Sequence, residues 1–394
     1  MTNRTTRWKA LFVSNLYPDS AECYRGLDNA TVLEHLAEGC EFRVISPRPT
    51  LPLRGGHALQ PRESDRQFQP NYLRVPYLPK IGSRINPPLM ARSLRRATKA
   101  LRRDFEFEII VASWLYPDGW AATRIAEEIG VPSVLIAQGT DVHGYLQHPV
   151  RRKFILEAVE KAAATITRSR SLADLLVAAG ADGQHVGAIH NGADPTTFHP
   201  RDRKATRRDL GIDPDGRLLL FVGNFLPVKN PLMLIEALGE LRSSAAEVPK
   251  LVLIGQGPME SQIRSLAESL GIGDRISFTG GIPSAQVARW MAAADLLCMT
   301  SHNEGLPNVV IEALASGLRV LATDVGGIRE LIDNERRGAL VKPGDVSGFA
   351  ERIFDLLEDE GCAAPDAKEL LSYSWARCGA EYQAVIDRIL LGGA

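Results

Sequence analysis

The chain has 394 residues, of which 45% are hydrophobic and 24% charged, and its formal net charge is -1. That composition fits a globular protein of two or three domains and excludes disordered, collagen-like and disulfide-scaffold classes. A near-zero net charge gives no overall pull toward nucleic acid, but residues 1–200 are net basic and the remainder net acidic, as in two domains with different partners.

The start of the chain carries an apolar stretch of only four residues, 10–13, too short for a secretory signal. No apolar run approaches about 18 residues, so no membrane span is expected. Strands are expected over 10–14, 42–46, 109–112, 133–137, 165–167 and 186–189. Helices are expected over 31–37, 120–128, 154–163 and 171–178. Residues 51–71, rich in Pro, Gly and Arg, read as a mobile surface loop. The segment 80–103 carries Lys80, Arg84, Arg92, Arg95, Arg96, Lys99, Arg102 and Arg103. Met90, Leu94, Ala97 and Leu101 recur opposite them at helical spacing. Such a helix can lie on an anionic membrane surface or be a solvated face of the domain. Aromatic residues are not interleaved with these charges, which argues against nucleic acid.

The polar stretch 194–204 reads as a domain boundary. Beyond it strands are expected over 218–222, 251–254, 276–279, 296–299 and 320–323. Helices are expected over 231–241, 259–270, 285–293, 308–315 and 346–358. Val/Ile/Leu strands alternating with helices imply parallel sheets covered on both faces. The expected division is 1–198 and 199–373, with a last helix over 374–391 able to pack back on the first domain. Cys23, Cys40, Cys298, Cys362 and Cys378 are odd in number and lack CxxC spacing. They read as reduced thiols of a cytoplasmic protein, without a disulfide framework or a structural metal. No GxGxxG follows the first strand, and GxxxxGK[ST], HExxH and GxSxG do not occur.

The most informative stretch is MTSHNEGLPNVVIEALASG, residues 299–317. A strand runs into a Gly-Leu-Pro turn and then an amphipathic helix. Proline is well placed at a helix start, and Gly305 admits a close backbone approach. The amides around Gly305, Leu306, Pro307, Asn308 and Val309, with the positive end of the helix dipole, suit an anion. Glu304 and Glu312 flank that anion site. Glu312 lies in an apolar run where a carboxylate needs hydrogen-bond donors, which the two hydroxyls of a ribose would supply. Glu304 would face the other end of a nucleotide-diphosphate sugar. The plainer reading is a salt-bridged Glu312 and a capping Glu304. His302 is weighed as a site residue, and Asp295 reads as structural.

With LFVSNLYP, GTDVH, HNGADPTTF, FVGNFLPVKN, LIGQGP, EGLPNVVIEALASG and DVGGIRELI in this order, the sequence resembles the retaining glycosyltransferases of family 4. Those most like it build cell-surface polysaccharides of the teichuronic-acid type. The resemblance implies the α/β GT-B fold, two Rossmann-like doubly wound parallel-sheet domains facing a central cleft. It implies sugar transfer from a nucleotide-diphosphate sugar to a glycan or lipid-linked acceptor, with neither metal nor cofactor; a lipid-linked acceptor would suit the basic helix lying on the inner face of the membrane. Carried over by position, Glu304, Lys229 and Asp141 are the catalytic candidates. Glu312, Gly305, Leu306, Pro307, Asn308, Asn224, Gly255 and Gly26 are the donor-binding ones. Lys229 would neutralise the diphosphate. Three positions depart from the family: Asn224 stands where Arg is usual, Gln138 where His is common, and the first glycine-rich loop is reduced to Arg25-Gly26. Arg25, Arg168 or Arg170 could supply the missing cation. Rival readings are a nucleotide-sugar epimerase and a non-catalytic, nucleotide-sugar-binding subunit.

Overall fold

Runs such as IIVAS and SVLIA are buried along their whole length, as strands covered by helices on both faces must be. The computed structural model describes residues 8–51, 59–79, 81–243, 248–359 and 367–392. It divides the chain into two units: Met1–His190 with Trp375–Ala394, and Asn191–Ser374. Lys80, Cys362 and residues 52–58 of the expected loop lie outside the described residues.

The first unit holds a seven-stranded sheet: β1 (Trp8–Val13), β2 (Cys40–Thr50), β3 (Asn71–Pro76), β4 (Ile109–Ser113), β5 (Ser133–Ala137), β6 (Ala164–Thr167) and β7 (Val186–Ala188). The order is β3-β2-β1-β4-β5-β6-β7 and every pairing is parallel. The chain reverses its direction of travel between β1 and β4, so loops after those two strands diverge at one edge. The last helix, Trp375–Leu390, belongs to this unit. Its Cys378, Tyr382 and Ile386 pack with Ala30, Leu33 and Leu36 of the helix Leu27–Leu36, and Trp8 Nε1 donates to Asp387 at 2.7 Å.

The second unit holds six parallel strands: β8 (Leu218–Val222), β9 (Lys250–Ile254), β10 (Ile276–Gly280), β11 (Leu296–Met299), β12 (Arg319–Thr323) and β13 (Gly338–Val341). Their order is β10-β9-β8-β11-β12-β13, so the reversal falls between β8 and β11. One apolar core lies on each face of this sheet. Asp295 is structural, as its sequence position implies. It accepts from the Leu218 amide (2.7 Å) and from Arg207 (2.7 Å) and Arg203 (2.9 Å).

Several expectations need correction. The segment read as a loop is anchored in its described part: Arg62 and Asp65 form a bidentate ion pair, Phe68 is buried, and β3 begins at Asn71. The edge strands β3 and β13 were missed because NYLRVP and GALV are short and only partly buried. By compactness the first unit runs to His190 before the chain enters the second. Asn191 Nδ2 donates to Asn308 Oδ1 (2.8 Å) and Ala193 pairs with Ser374, which ties the HNGAD segment to the second unit. A helix, Arg203–Asp209, capped by Asp202, begins at the end of the boundary stretch. The basic helix spans Asn86–Leu101. Met90, Ala91 and Leu94 are buried in the core of the first unit, so the innermost part of the apolar stripe is already covered. Arg92, Arg95, Arg96, Lys99 and Arg103 are exposed, with Arg95 paired to Glu128.

Candidate functional site

In open parallel sheets ligands bind beyond the carboxyl ends of the strands, at the reversal point. In the second unit that point is occupied by the loops after β8 and β11. The β8 loop carries FVGNFLPVKN, and the β11 loop carries TSHNEGLP. Contacts from both backbone and side chains tie them. The His302 amide donates to the Val228 carbonyl (2.8 Å), Thr300 Oγ1 donates to the Asn230 carbonyl (2.8 Å), and Lys229 Nζ reaches Glu304 Oε1 at 2.5 Å. The same Oε1 accepts from Ser301 Oγ at 2.6 Å. Glu304 is almost buried, while the Lys229 side chain keeps about a quarter of its exposure.

The loop after β12 closes the other side. Gly327 donates its amide to the Gly305 carbonyl at 2.8 Å. Gly326 has φ +58°, and a Cβ there would stand 1.9 Å from the Glu304 carbonyl oxygen. Only glycine permits this approach. Thr323 Oγ1 donates to the Ser301 carbonyl at 2.6 Å. The Glu304–Gly305 turn is thus held by β8, β11 and β12 together. The motif DVGGIRELI contained this glycine pair, but its spacing alone does not show that the two glycines brace the neighbouring loop.

The helix Asn308–Ala315 follows, with Pro307 at its N-cap (ψ 120°) and no side chain capping it. Leu306 and Pro307 are buried and Gly305 and Asn308 half-buried. The Asn308 side chain is engaged by Asn191. Glu312 sits half-buried on this helix, eight residues beyond Glu304. Asn224 is exposed at the end of β8, its carbonyl accepting from Leu226. The Gly255 amide donates to the Gly280 carbonyl (3.0 Å), which joins the loops after β9 and β10. His302 is exposed and takes part through its backbone. Lys229, Glu304, Gly305, Leu306, Pro307, Asn308 and Glu312 therefore stand along the β8 and β11 end of one sheet, while Asn224 and Gly255 line its β8 and β9 side.

Asp141 and Gly26 belong to the first unit and are described within it. Asp141 is buried and accepts from three backbone amides: Gly139 (2.8 Å), Gln138 (3.0 Å) and Leu115 (3.0 Å). Burial raises its carboxyl above the usual range, and the amides oppose this. These bonds make Asp141 the clasp of the loops after β4 and β5. Gly26 caps the helix Leu27–Leu36 with φ +62°, and a Cβ there would meet the Leu16 carbonyl at 2.2 Å. Its missing side chain is accounted for by that packing. Gln138 Nε2 donates to Ser113 (2.6 Å) and Asn29 (2.8 Å), and its Oε1 accepts from Arg168 (3.3 Å). Arg168 is itself buried, bonded to Tyr382 (3.1 Å). Among the described residues no group of three or more His, Cys, Asp or Glu could hold a metal ion, and no helix is long and apolar enough to cross a membrane.

Two family models match the chain. Glycosyl transferases group 1 matches residues 202–373, and Glycosyltransferase Family 4 matches residues 30–197. The chain thus carries a family 4-type glycosyltransferase domain followed by a group 1 glycosyltransferase domain. It is 29% identical over 88% of its length to TuaC of Bacillus subtilis, a glycosyltransferase named for teichuronic acid biosynthesis, and covers 88% of that protein. It is 31% identical over 62% of its length to D-inositol 3-phosphate glycosyltransferase of Nocardia farcinica, of which it spans 56%. The fold matches HepE of Anabaena, crystallised with UDP, at a TM-score of 0.74 with 19% identity, covering 96% of this chain and 99% of that one. Sucrose-phosphate synthase of Thermosynechococcus elongatus matches at 0.73 with 18% identity, covering 98% of this chain and all of that one. The fold is therefore GT-B, and the two domain matches make the chain a glycosyltransferase.

Proposed function

We propose that this glycosyltransferase moves a hexose from a nucleotide-diphosphate sugar to a hydroxyl of a surface glycan or glycolipid, with retention at the anomeric carbon and without a metal. The observation that carries the reading is the meeting of Lys229 and Glu304 across the sheet's reversal point, beside an uncapped helix N-terminus. Solved relatives of the fold that hold UDP and UDP-glucose support the donor class. The likeness to TuaC supports the surface-polysaccharide acceptor.

In this reading Glu312 accepts from the ribose hydroxyls, and the backbone of Gly305, Leu306, Pro307 and Asn308 meets sugar and phosphate. Lys229 stabilises the diphosphate as it leaves, the role a metal plays elsewhere. The acceptor oxygen bonds to the anomeric carbon on the face from which the diphosphate departs. The breaking C–O bond leaves its electron pair on the phosphate, which takes the acceptor proton, so no strong side-chain base is needed. Glu304 lies beside the positive charge that develops on the sugar. Asn224 and Gly255 border the donor on the β8 and β9 side. Asp141 and Gly26 act by positioning their loops. The exposed arginines of the helix Asn86–Leu101 offer an electrostatic contact to an anionic membrane surface, without inserting the buried Met90 and Leu94.

Asn224, which leaves Lys229 as the loop's one cation, favours a second reading: a nucleotide-sugar-binding subunit without turnover. A thermal-shift panel of UDP-, GDP- and ADP-sugars, with nucleotide release measured alongside, separates the two. Selective stabilisation with release supports the enzyme, and stabilisation without release under any acceptor supports the subunit. Glu312→Ala should abolish the nucleotide-dependent shift; an unchanged shift removes the ribose assignment.

A further inference from the structure

Glu304 Oε1 has two donors, Lys229 Nζ at 2.5 Å and Ser301 Oγ at 2.6 Å. The side chain is 9% exposed, so its charge depends on donors supplied by the protein. The two donors are not equivalent. Lys229 is the more exposed, at 27%, and its flexible ammonium can change partner. Ser301 is 2% exposed and cannot follow, because its carbonyl is held by Thr323 and the next amide by Val228.

A diphosphate arriving at this edge competes with Glu304 for Lys229. We propose that Ser301 is a positioning residue that keeps Glu304 in place, charged and solvated, when the diphosphate takes Lys229 away. The Lys229–Glu304 pair then opposes diphosphate binding, and the Ser301 hydroxyl lowers the cost of parting it. The inference rests on the reading of Lys229 as the diphosphate cation, and it needs neither the sugar nor the acceptor to be known.

The test is calorimetric binding of UDP, GDP and ADP to the full chain and to variants whose melting temperatures are recorded alongside. Glu304→Gln frees Lys229 and should tighten the bound nucleotide about three- to tenfold, whereas Ser301→Ala should weaken it by a similar factor. Ser301→Thr keeps the hydroxyl and should restore the wild-type affinity. In the Glu304→Gln background, Ser301→Ala should have no effect. A merely structural role for Ser301 would not produce a loss that vanishes once the Glu304 carboxylate is gone. The inference alone is overturned if Glu304→Gln fails to tighten binding, or if the Ser301→Ala loss persists without the carboxylate. If the wild-type chain binds none of the three nucleotides, the donor reading falls and takes this inference with it.

Discussion

Asp118 accepts two hydrogen bonds from Asn15, from its backbone amide at 2.6 Å and its side-chain amide at 2.8 Å. The pair closes the reversal point of the first sheet, as Lys229 and Glu304 close that of the second. Burial pushes the Asp118 carboxyl up to about 7, against the Asn15 bonds and the more distant Arg25 charge.

A raised carboxyl favours the folded state in its protonated form. The stability it confers is present below the unfolded value near 4 and is lost as pH rises through about 7. Unfolding free energy measured by denaturant titration should therefore fall across that window, by at most about 4 kcal/mol from this group. Asp118→Asn should flatten that part of the profile. An unchanged slope would show that Asp118 is ionised throughout.

Gly326→Ala places a methyl group against the Glu304 carbonyl at a left-handed φ. The backbone alone costs about 1–2 kcal/mol there, and the Glu304–Gly305 turn must shift to relieve the contact. We expect a small fall in melting temperature and a loss of donor turnover of more than about tenfold, since misplacement by about 1 Å can cost far more. Turnover equal to wild type would show that the turn is not held from β12.

Asp295→Ala leaves Arg207 buried, with a side chain 4% exposed and only carbonyls for partners. Breaking one half of a buried pair costs about 3–5 kcal/mol. Denaturant unfolding should report a loss of that order while nucleotide affinity in the folded protein is retained. A loss below about 1 kcal/mol would mean that the site hydrates freely.

Asn224→Arg restores a second cation to the loop that bears Lys229, at an exposed position with room for a long side chain. A charge-assisted bond to the diphosphate should tighten UDP binding about tenfold, with a steeper salt dependence. Calorimetry at two ionic strengths checks it, and an unchanged affinity would show that position 224 does not face the phosphates.

Continuous apolar strands, alternating helices and the Gly-Leu-Pro turn were legible along the chain, because strand burial and helix starts depend on neighbouring residues. Glu304 and Glu312 stood out for the same reason, since each lies in a local pattern that needs a ligand or a partner, whereas Lys229 was singled out only by the family resemblance. The edge strands β3 and β13 were not legible, since a short, partly buried strand lacks a distinct period. Nor could spacing reveal that the basic helix has its Met90 and Leu94 side already covered, or that Asp141 is clasped by three amides. The amino-acid sequence by itself determined the two parallel sheets, the turn after β11 and the acidic residues beside it. Only the tertiary structure decided that Ser301 and Lys229 share one oxygen and that Gly326 braces the turn. Those contacts join residues from three strands far apart in the chain, and no local preference encodes which loops will meet.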